Sequence, residues 1–436
     1  MRGQYMKIGF LNDYFRGVAV KRLVPGEVNA MVSNQHEFNV NRSLLKLLGT
    51  PEGKYRCPTK YLYLSDFDDE QTEHDSYTTW YNAREGKPRY PEYRLYFPSD
   101  AADVIGQAQA GDSMFLCIKP DNTRLLIISK QGSTTENQLY YLFDLMPAAA
   151  GFESRVSFDD SGRQVGIVVR TILERIGVEY EDDREKRLFE NLIDRFDGTF
   201  PTTDEFSKYA RSTVEDADPI GRPDEALMLW YDRETALFKM MERHIIESRL
   251  KEGFLNDNGV DVEGFISFSL SVQNRRKSRA GMALENGVSE ILRQNGILFD
   301  RTPVTENRNK PDFLFPGKDE YHDISFPTAC LTMLGAKTTS KDRWRQVLDE
   351  ADKIERKHLI TLEGAISTYQ TEQMKSRNLQ LVVPSGIQST YTAEQQDWLY
   401  SVSDFLYVVK ERQKEAAKFS DRVLAYCNKL GIFNYG

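Results

Sequence analysis

The feature that most constrains this chain is a change of hydrophobic period along it. Up to about residue 146, apolar and polar residues alternate in short runs such as KYLYLSDF (60–67), EYRLYF (92–97) and SMFLCIKPDNTRLLIIS (113–129). A period of two belongs to half-buried strands, and Pro120-Asp121-Asn122 between two apolar runs is a hairpin signal. From Val165 the period turns helical, in GIVVRTILERIG (166–177), EKRLFENLIDRF (185–196) and EALMLWYDRETALFKMMERHIIESRLKEG (225–253). After Gly253 helix and strand patterns mix, with FLF (313–315), YHDISF (321–326), LGAK (334–337), LITL (359–362) and LQLVVP (379–384) reading as strands. A chain of 436 residues is also too long for one core. The pattern predicts a β-rich, barrel-like domain over 1–146, a linker and helical connector over 147–199, and an α/β domain with a mixed sheet flanked by helices over 200–436.

Composition excludes several classes of function. No apolar run approaches the roughly 20 residues that span a membrane, and the start, MRGQYMKIGF, lacks a signal-peptide core, so a cytoplasmic protein with no membrane partner is expected. The four cysteines (Cys57, Cys117, Cys330 and Cys427) and the five histidines are scattered, which argues against a zinc site or a Ser-His-Asp triad. A net charge of −9 disfavours nucleic acid globally, but phosphate binding needs only local positive charge. Between Ser271 and Gln346 there are 13 Lys and Arg against 9 Asp and Glu, inside an otherwise acidic chain. The run Arg275-Arg276-Lys277-Arg279 suits phosphate contact, with Arg276 as its first candidate.

The chemistry centres on NKPDFLFP (309–316), where Asp312 follows a proline and precedes a short apolar strand. A carboxylate there emerges at a sheet end, where it can face a metal. The next strand ends in Ala336-Lys337. A nuclease of the Asp…(Asp/Glu)-x-Lys kind needs two carboxylates for Mg²⁺ and a lysine near the attacked phosphate. Two positions before Lys337, however, stands Gly335. The segment DRWRQVLDEADKIERK (342–357) reads as one amphipathic helix with Trp344, Val347, Leu348, Ala351 and Ile354 on its apolar stripe. Glu350 shares another face with Arg343 and Gln346, and a carboxylate on that face can turn back and replace the missing acid. Asp342 suits the N-cap, which puts it and Arg343 at a helix N-terminus able to enter a major groove.

With these residues in place, the sequence resembles the EcoRII-like restriction endonucleases. The resembling strings are NRRKSRAGMALE (274–285), KPDFLFP (310–316), YHDISFP (321–327), AKTTSKDRWRQVLDEADKI (336–354) and LVVPS (381–385), with weaker similarity back to about residue 200. The resemblance implies a restriction-endonuclease-like catalytic domain in which Asp312 and Glu350 hold Mg²⁺ and Lys337 is the catalytic lysine. It makes Tyr321 and Glu285 further catalytic residues, and Lys341, Asp342 and Arg343 a segment that reads a CC/GG-flanked site in double-stranded DNA. Ser340, where a cysteine is usual, and Met282, where a lysine occurs, depart from the pattern without touching the metal ligands.

The N-terminal half is similar, more faintly, to the family's effector domain, a DNA-binding pseudobarrel. FRGVAVKRLVPGEVNAMVSNQHEF (15–38) and WYNAREGKPRYPEYR (80–94) look like its two DNA-gripping arms, with Lys21, Arg22, His36, Lys87, Arg89 and Arg94 as candidates. The resemblance implies a type IIE homodimer whose effector site relieves autoinhibition. The alternatives are a defence nuclease that senses modified DNA and a non-catalytic DNA-binding regulator, and the intact trio Asp312, Lys337 and Glu350 argues against the second.

Overall fold

The computed structural model describes residues 11–28, 36–40, 42–66, 71–145, 152–155, 169, 172–173, 175–178, 186–256, 259–339 and 343–431. They form two compact units, Met1–Glu181 with Gly364–Thr371 and Asp182–Glu363 with Glu372–Gly436. The first unit thus reaches beyond residue 146 and takes in a short segment from late in the sequence, and the expected connector is divided between the two. Among the described residues no helix is long and apolar enough to cross a membrane.

The first unit is built on eight strands: β1 Gly17–Arg22, β2 Glu37–Asn39, β3 Tyr55–Leu64, β4 Thr72–Asn82, β5 Tyr93–Tyr96, β6 Ser113–Ile118, β7 Arg124–Ser129 and β8 Phe152–Arg155. They pair in the order β2-β5-β4-β3-β7-β6-β1-β8, antiparallel except for β3 with β7. Phe38, Leu95, Trp80, Tyr61, Leu126, Leu116 and Ala19 meet in one core although they come from seven strands across that order, so the sheet curls around its own interior. The expected hairpin is β6–β7, and its turn places Asn122 in the left-handed region (φ 67°). Both of these strands are buried throughout, because helix α1 (Thr134–Phe143) covers their outer face with Tyr140 and Phe143 on Phe115. The segment Gly364–Thr371 adds to this unit through Thr134, whose Oγ1 donates to Gln370 Oε1 at 2.8 Å and accepts from Ser367 N at 3.1 Å.

The second unit carries a five-stranded mixed sheet: β11 Asp300–Arg301, β12 Phe313–Phe315, β13 Thr332–Ala336, β14 Lys357–Ile360 and β15 Leu379–Val382, in that order, with a separate small ribbon of β9 Leu255–Asn256 and β10 Gly259–Val260. The first three sheet strands are antiparallel neighbours and the last three parallel ones. Helices α2 (Lys186–Phe196), α3 (Thr203–Ser212) and α4 (Pro223–Glu252) pack around Leu192, Phe206, Leu237, Phe238 and Met241. Helix α5 (Val262–Gln294) lies against α4, and Gly287 permits the approach, since a Cβ there would come within 2.9 Å of Leu227 Cδ1.

Two strings fold differently from their apolar pattern. YHDISF (321–326) is no strand: a short helix, Lys318–His322, is followed by a turn in which Asp323 Oδ1 accepts from Ser325 N and Oγ. Nor does 342–357 form one long helix. Helix α6 covers only Arg343–Leu348, Ala351 adopts φ 52°, and the chain then leaves helical geometry.

One buried carboxylate fastens the second unit. Asp224, at the start of α4, accepts through Oδ1 from Ser385 N (3.0 Å) and Val402 N (2.8 Å), and through Oδ2 from Ser403 N (3.0 Å) and Oγ (2.8 Å). It thereby caps α7 (Val402–Ala416) and ties it to α4. Asp224→Ala leaves those donors buried and should lower stability by about 2–3 kcal/mol, read as a lower thermal midpoint. An unchanged midpoint would contradict this role.

Candidate active site

Because β12 runs antiparallel to β13, with Phe313 opposite Leu334, the residue just before β12 stands beside the end of β13. That residue is Asp312. Its Oδ2 accepts from the backbone N of Ala336 at 2.7 Å and from Lys337 Nζ at 2.8 Å. Lys337 is held in turn, since its own N donates to Ile360 O (3.0 Å), which extends the parallel ladder by one residue. The carboxylate is buried and the lysine side chain largely so, which strengthens their attraction.

At Gly335 the strand β13 has no room for an acid. A Cβ at this position would lie 2.9 Å from Val347 Cγ2 and 3.2 Å from its Cγ1, so α6 occupies the space that an acidic side chain needs. An acid, Glu350, stands just past the end of that same helix. Glu350 N donates to Val347 O, and the side chain turns inward, with Oε2 buried and lacking a hydrogen-bond partner. Burial, and then the negative charge of Asp312, push its carboxyl up to about 7, while Lys337 and Lys357 oppose the shift. Glu285 joins this cluster: burial and Asp312 raise its pKa, and Arg301 pairs with it at 3.0 Å.

Two like-charged carboxyl groups, one with an orphaned buried oxygen, beside a lysine form a donor set that a small divalent cation satisfies. Mg²⁺ commonly takes one or two protein carboxylates and leaves its other positions to water and phosphate. Asp312 and Glu350 fit that demand, although among the described residues no group of three or more His, Cys, Asp or Glu side chains is assembled for a metal.

The turn that carries Glu350 is fastened from several sides. Tyr321 is fully buried, and its hydroxyl donates to Glu306 Oε2 while accepting from Lys353 N (3.3 Å). Glu306 Oε2 also accepts from Asp352 N (3.2 Å), and Lys353 Nζ donates to Tyr321 O (2.6 Å). Lys357 Nζ donates to Ala351 O (3.2 Å) and Ile354 O (3.0 Å). Tyr321, expected among the catalytic residues, is therefore bonded to the turn behind Glu350. The tightly bound Glu306, Lys353 and Lys357 were missed in the sequence. A lysine opening the apolar run KHLITL was the one available signal for them.

The remaining candidates are dispersed. Arg276 on α5 pairs with Glu242 at 2.7 Å and keeps more than half of its side chain exposed. Arg343 opens α6 and is exposed, whereas Lys341 and Asp342 lie outside the described residues. In the first unit Lys21 is 3% exposed and bonded to Glu27, so it belongs to the interior of β1 rather than to a gripping arm. Arg22 bonds Glu136, and Arg94 bonds Glu92 and reaches Glu37. His36, at φ 49°, packs its ring on Phe97. Lys87 and Arg89 project into solvent from the β4–β5 loop.

Residues 238–406 match the protein family described as EcoRII C terminal. Over this segment the chain is similar to that family. The type II restriction enzyme EcoRII of Escherichia coli is 40% identical over 195 residues, which span 44% of this chain and 46% of the relative, so under half of that relative's length is matched. The EcoRII-like segment contains Glu285, Asp312, Tyr321, Lys337, Glu350, Arg276 and Arg343. Two solved structures are also similar: metal-depleted Ecl18kI with uncleaved, modified DNA (18% identity, TM-score 0.42, 54% of this chain and 86% of that one) and metal-depleted Ecl18kI with uncleaved DNA (17%, 0.39, 57% and 94%).

Protonation of Glu350 should be visible in stability. Its folded pKa is raised above the unfolded value, so its stabilising contribution is present at low pH and is lost as pH rises through about 7. Without metal, Glu350→Gln should therefore be more stable than the parent at pH 8, with the difference shrinking towards pH 5. Thermal unfolding in a chelator reads this, and a pH-independent difference would contradict the burial of an orphaned carboxylate.

Proposed function

We propose that the chain is a Mg²⁺-dependent type II site-specific deoxyribonuclease that cuts double-stranded DNA in a restriction-modification system. The reading rests on one observation above others: Asp312, Lys337 and Glu350 converge at a sheet end within the EcoRII-like segment. Asp312 and Glu350 hold the ion. When bound, it supplies positive charge to the scissile phosphate and a nucleophile at neutral pH. Lys337, oriented by Asp312, directs its ammonium at the phosphate and stabilises the negative charge that grows as water attacks phosphorus in line and the 3′ oxygen leaves. Glu285, paired with Arg301, completes the acidic wall of the site. Tyr321 sets the turn that presents Glu350.

Arg343, with Lys341 and Asp342, reads a CC/GG-flanked site, because a guanidinium bonds guanine O6 and N7 together and a carboxylate accepts from cytosine N4. Arg276 contacts phosphate. Two copies act on one twofold-symmetric target. The first unit is an effector domain that binds DNA through the exposed Lys87 and Arg89 and, with a different affinity for DNA in the inhibited and active states, relieves inhibition of the catalytic unit.

Alanine at Asp312, Lys337 or Glu350 should reduce plasmid cleavage by about 10²-fold or more while leaving the fold and much of the DNA binding in place. Near-parental cleavage by any one of these variants removes that residue from the site. Arg343→Ala should lose about 1–3 kcal/mol of discrimination at one G·C pair, and Arg276→Ala should weaken binding without changing preference. Added target duplex should stimulate cleavage, and Lys87→Ala with Arg89→Ala should blunt that response.

A further inference from the structure

Asn286 and Ser207 are buried polar side chains that no step of the proposed reaction uses, and they stand between the candidate site and the helices of the second unit. Arg301, on β11, forks between two partners: one terminal nitrogen donates to Glu285 Oε2 (3.0 Å) and the other to Asn286 Oδ1 (2.9 Å). Asn286 Nδ2 donates to Ser207 Oγ (3.0 Å) and reaches Thr203 O (3.5 Å). Ser207 Oγ donates in turn to Glu234 Oε1 (3.0 Å) on α4. Side chains from α3, α4, α5 and β11 thus form one unbroken chain, Glu234–Ser207–Asn286–Arg301–Glu285, which ends within reach of the Asp312 charge.

The chain has a fixed direction. A guanidinium only donates, so the amide of Asn286 must turn its oxygen to Arg301 and its NH2 to Ser207, which leaves the one hydroxyl proton of Ser207 for Glu234. Each link therefore depends on the next. The strand that carries the fork also holds Asp312: Arg301 pairs with Phe313, and Thr302 N donates to Asp312 O (3.1 Å). Such a polar string is costly to bury, and the same helices pack elsewhere through Phe206, Leu237 and Phe238. Burial pushes the Glu234 carboxyl up to about 7, against the Ser207 bond and the charges of Arg279 and Arg211. A buried string that ends on an acid of the site has the form of the outer partners that orient the acids of a metal centre.

We infer that Asn286 and Ser207 are positioning residues, which through Arg301 hold Glu285 towards Asp312 and so set the grip of the site on its cation. The inference rests on the proposed nuclease reading for the cation itself. A loosened Arg301 leaves Glu285 buried near Asp312 without its counter-charge, and a carboxyl so placed turns away or is neutralised. Either response takes negative charge from the site. Asn286→Leu and Ser207→Ala exchange one neutral side chain for another, so a change in cation affinity reports the loss of position and not a change in formal charge.

Mn²⁺ binding that depends on Asp312, followed by paramagnetic resonance on the full chain with an uncleavable duplex present, tests this in a double-mutant cycle. Outer partners of metal ligands are typically worth about 10–100-fold in affinity, and Asn286 stands further out, so Asn286→Leu should weaken binding by about threefold or more. Ser207→Ala should act in the same direction and, as the milder change, decides alone if the leucine variant does not fold. In a Glu285→Gln chain neither substitution should have any further effect, whereas a general loosening of the fold would persist in that background. Parental affinity in these variants, an equal loss with and without Glu285, or a parent chain with no Asp312-dependent Mn²⁺ binding would overturn the inference. Plasmid cleavage by the same proteins reads the nuclease proposal separately. A chain that shows the coupling but leaves DNA intact loses that proposal and keeps this inference, and a chain that cuts DNA without the coupling does the reverse.

Discussion

The carboxylate of Asp312, gripped by the backbone N–H of Ala336 and the ammonium of Lys337, is the interaction around which the candidate site of the second unit is arranged. A buried carboxylate is costly unless it is paired and hydrogen-bonded, and here both partners come from the end of one neighbouring strand. The short antiparallel ladder between β12 and β13 supplies them, with Phe313 set opposite Leu334. Burial first, and then this same charge, raise the pKa of Glu285 and of Glu350. Left metal-free, the site holds more acid than Lys337 can balance. That surplus is what makes it suited to a cation.

Position 335 leaves no room for an acidic side chain on β13. With glycine there, α6 packs Val347 directly on β13, and any side chain would force the helix away. The helix instead brings an acid to the same region from its far end, where the chain turns through Ala351. An acid on a turn is less constrained than one on a strand, and the surrounding bonds compensate for that freedom. Tyr321, Glu306, Lys353 and Lys357 fix the backbone on either side, so that Glu350 is presented by a braced turn.

Long-range periodicity was legible before the fold was known. The long helix at 225–253, the β6–β7 hairpin and the strands at 313–315 and 379–382 follow from spacing and turn residues alone. The pairing of Asp312 with Lys337 was legible as residue types at two strand ends. Helix length was not. The apolar stripe from Trp344 to Ile354 persists beyond Leu348 because residues of a packed turn are buried as thoroughly as those of a helix, and periodicity does not separate the two. YHDISF misled for a similar reason, since Tyr321 and Phe326 are buried from a helix and a turn rather than from one strand face. Lys21 looked like a surface base because its partner Glu27 lies beyond the strand that contains it.

The central claim is that Asp312 and Glu350, one from a strand start and one from a turn behind a helix, share one cation. Equilibrium binding of Mn²⁺, followed by its paramagnetic resonance with duplex DNA present, reads that claim without any requirement for cleavage. Asp312→Asn and Glu350→Gln should each weaken binding by at least tenfold, about 1.4 kcal/mol, while Gln346→Ala on the exposed face of α6 leaves it unchanged. Parental affinity in the Glu350→Gln protein would contradict the claim and return the search for the second ligand to the other acids around Asp312.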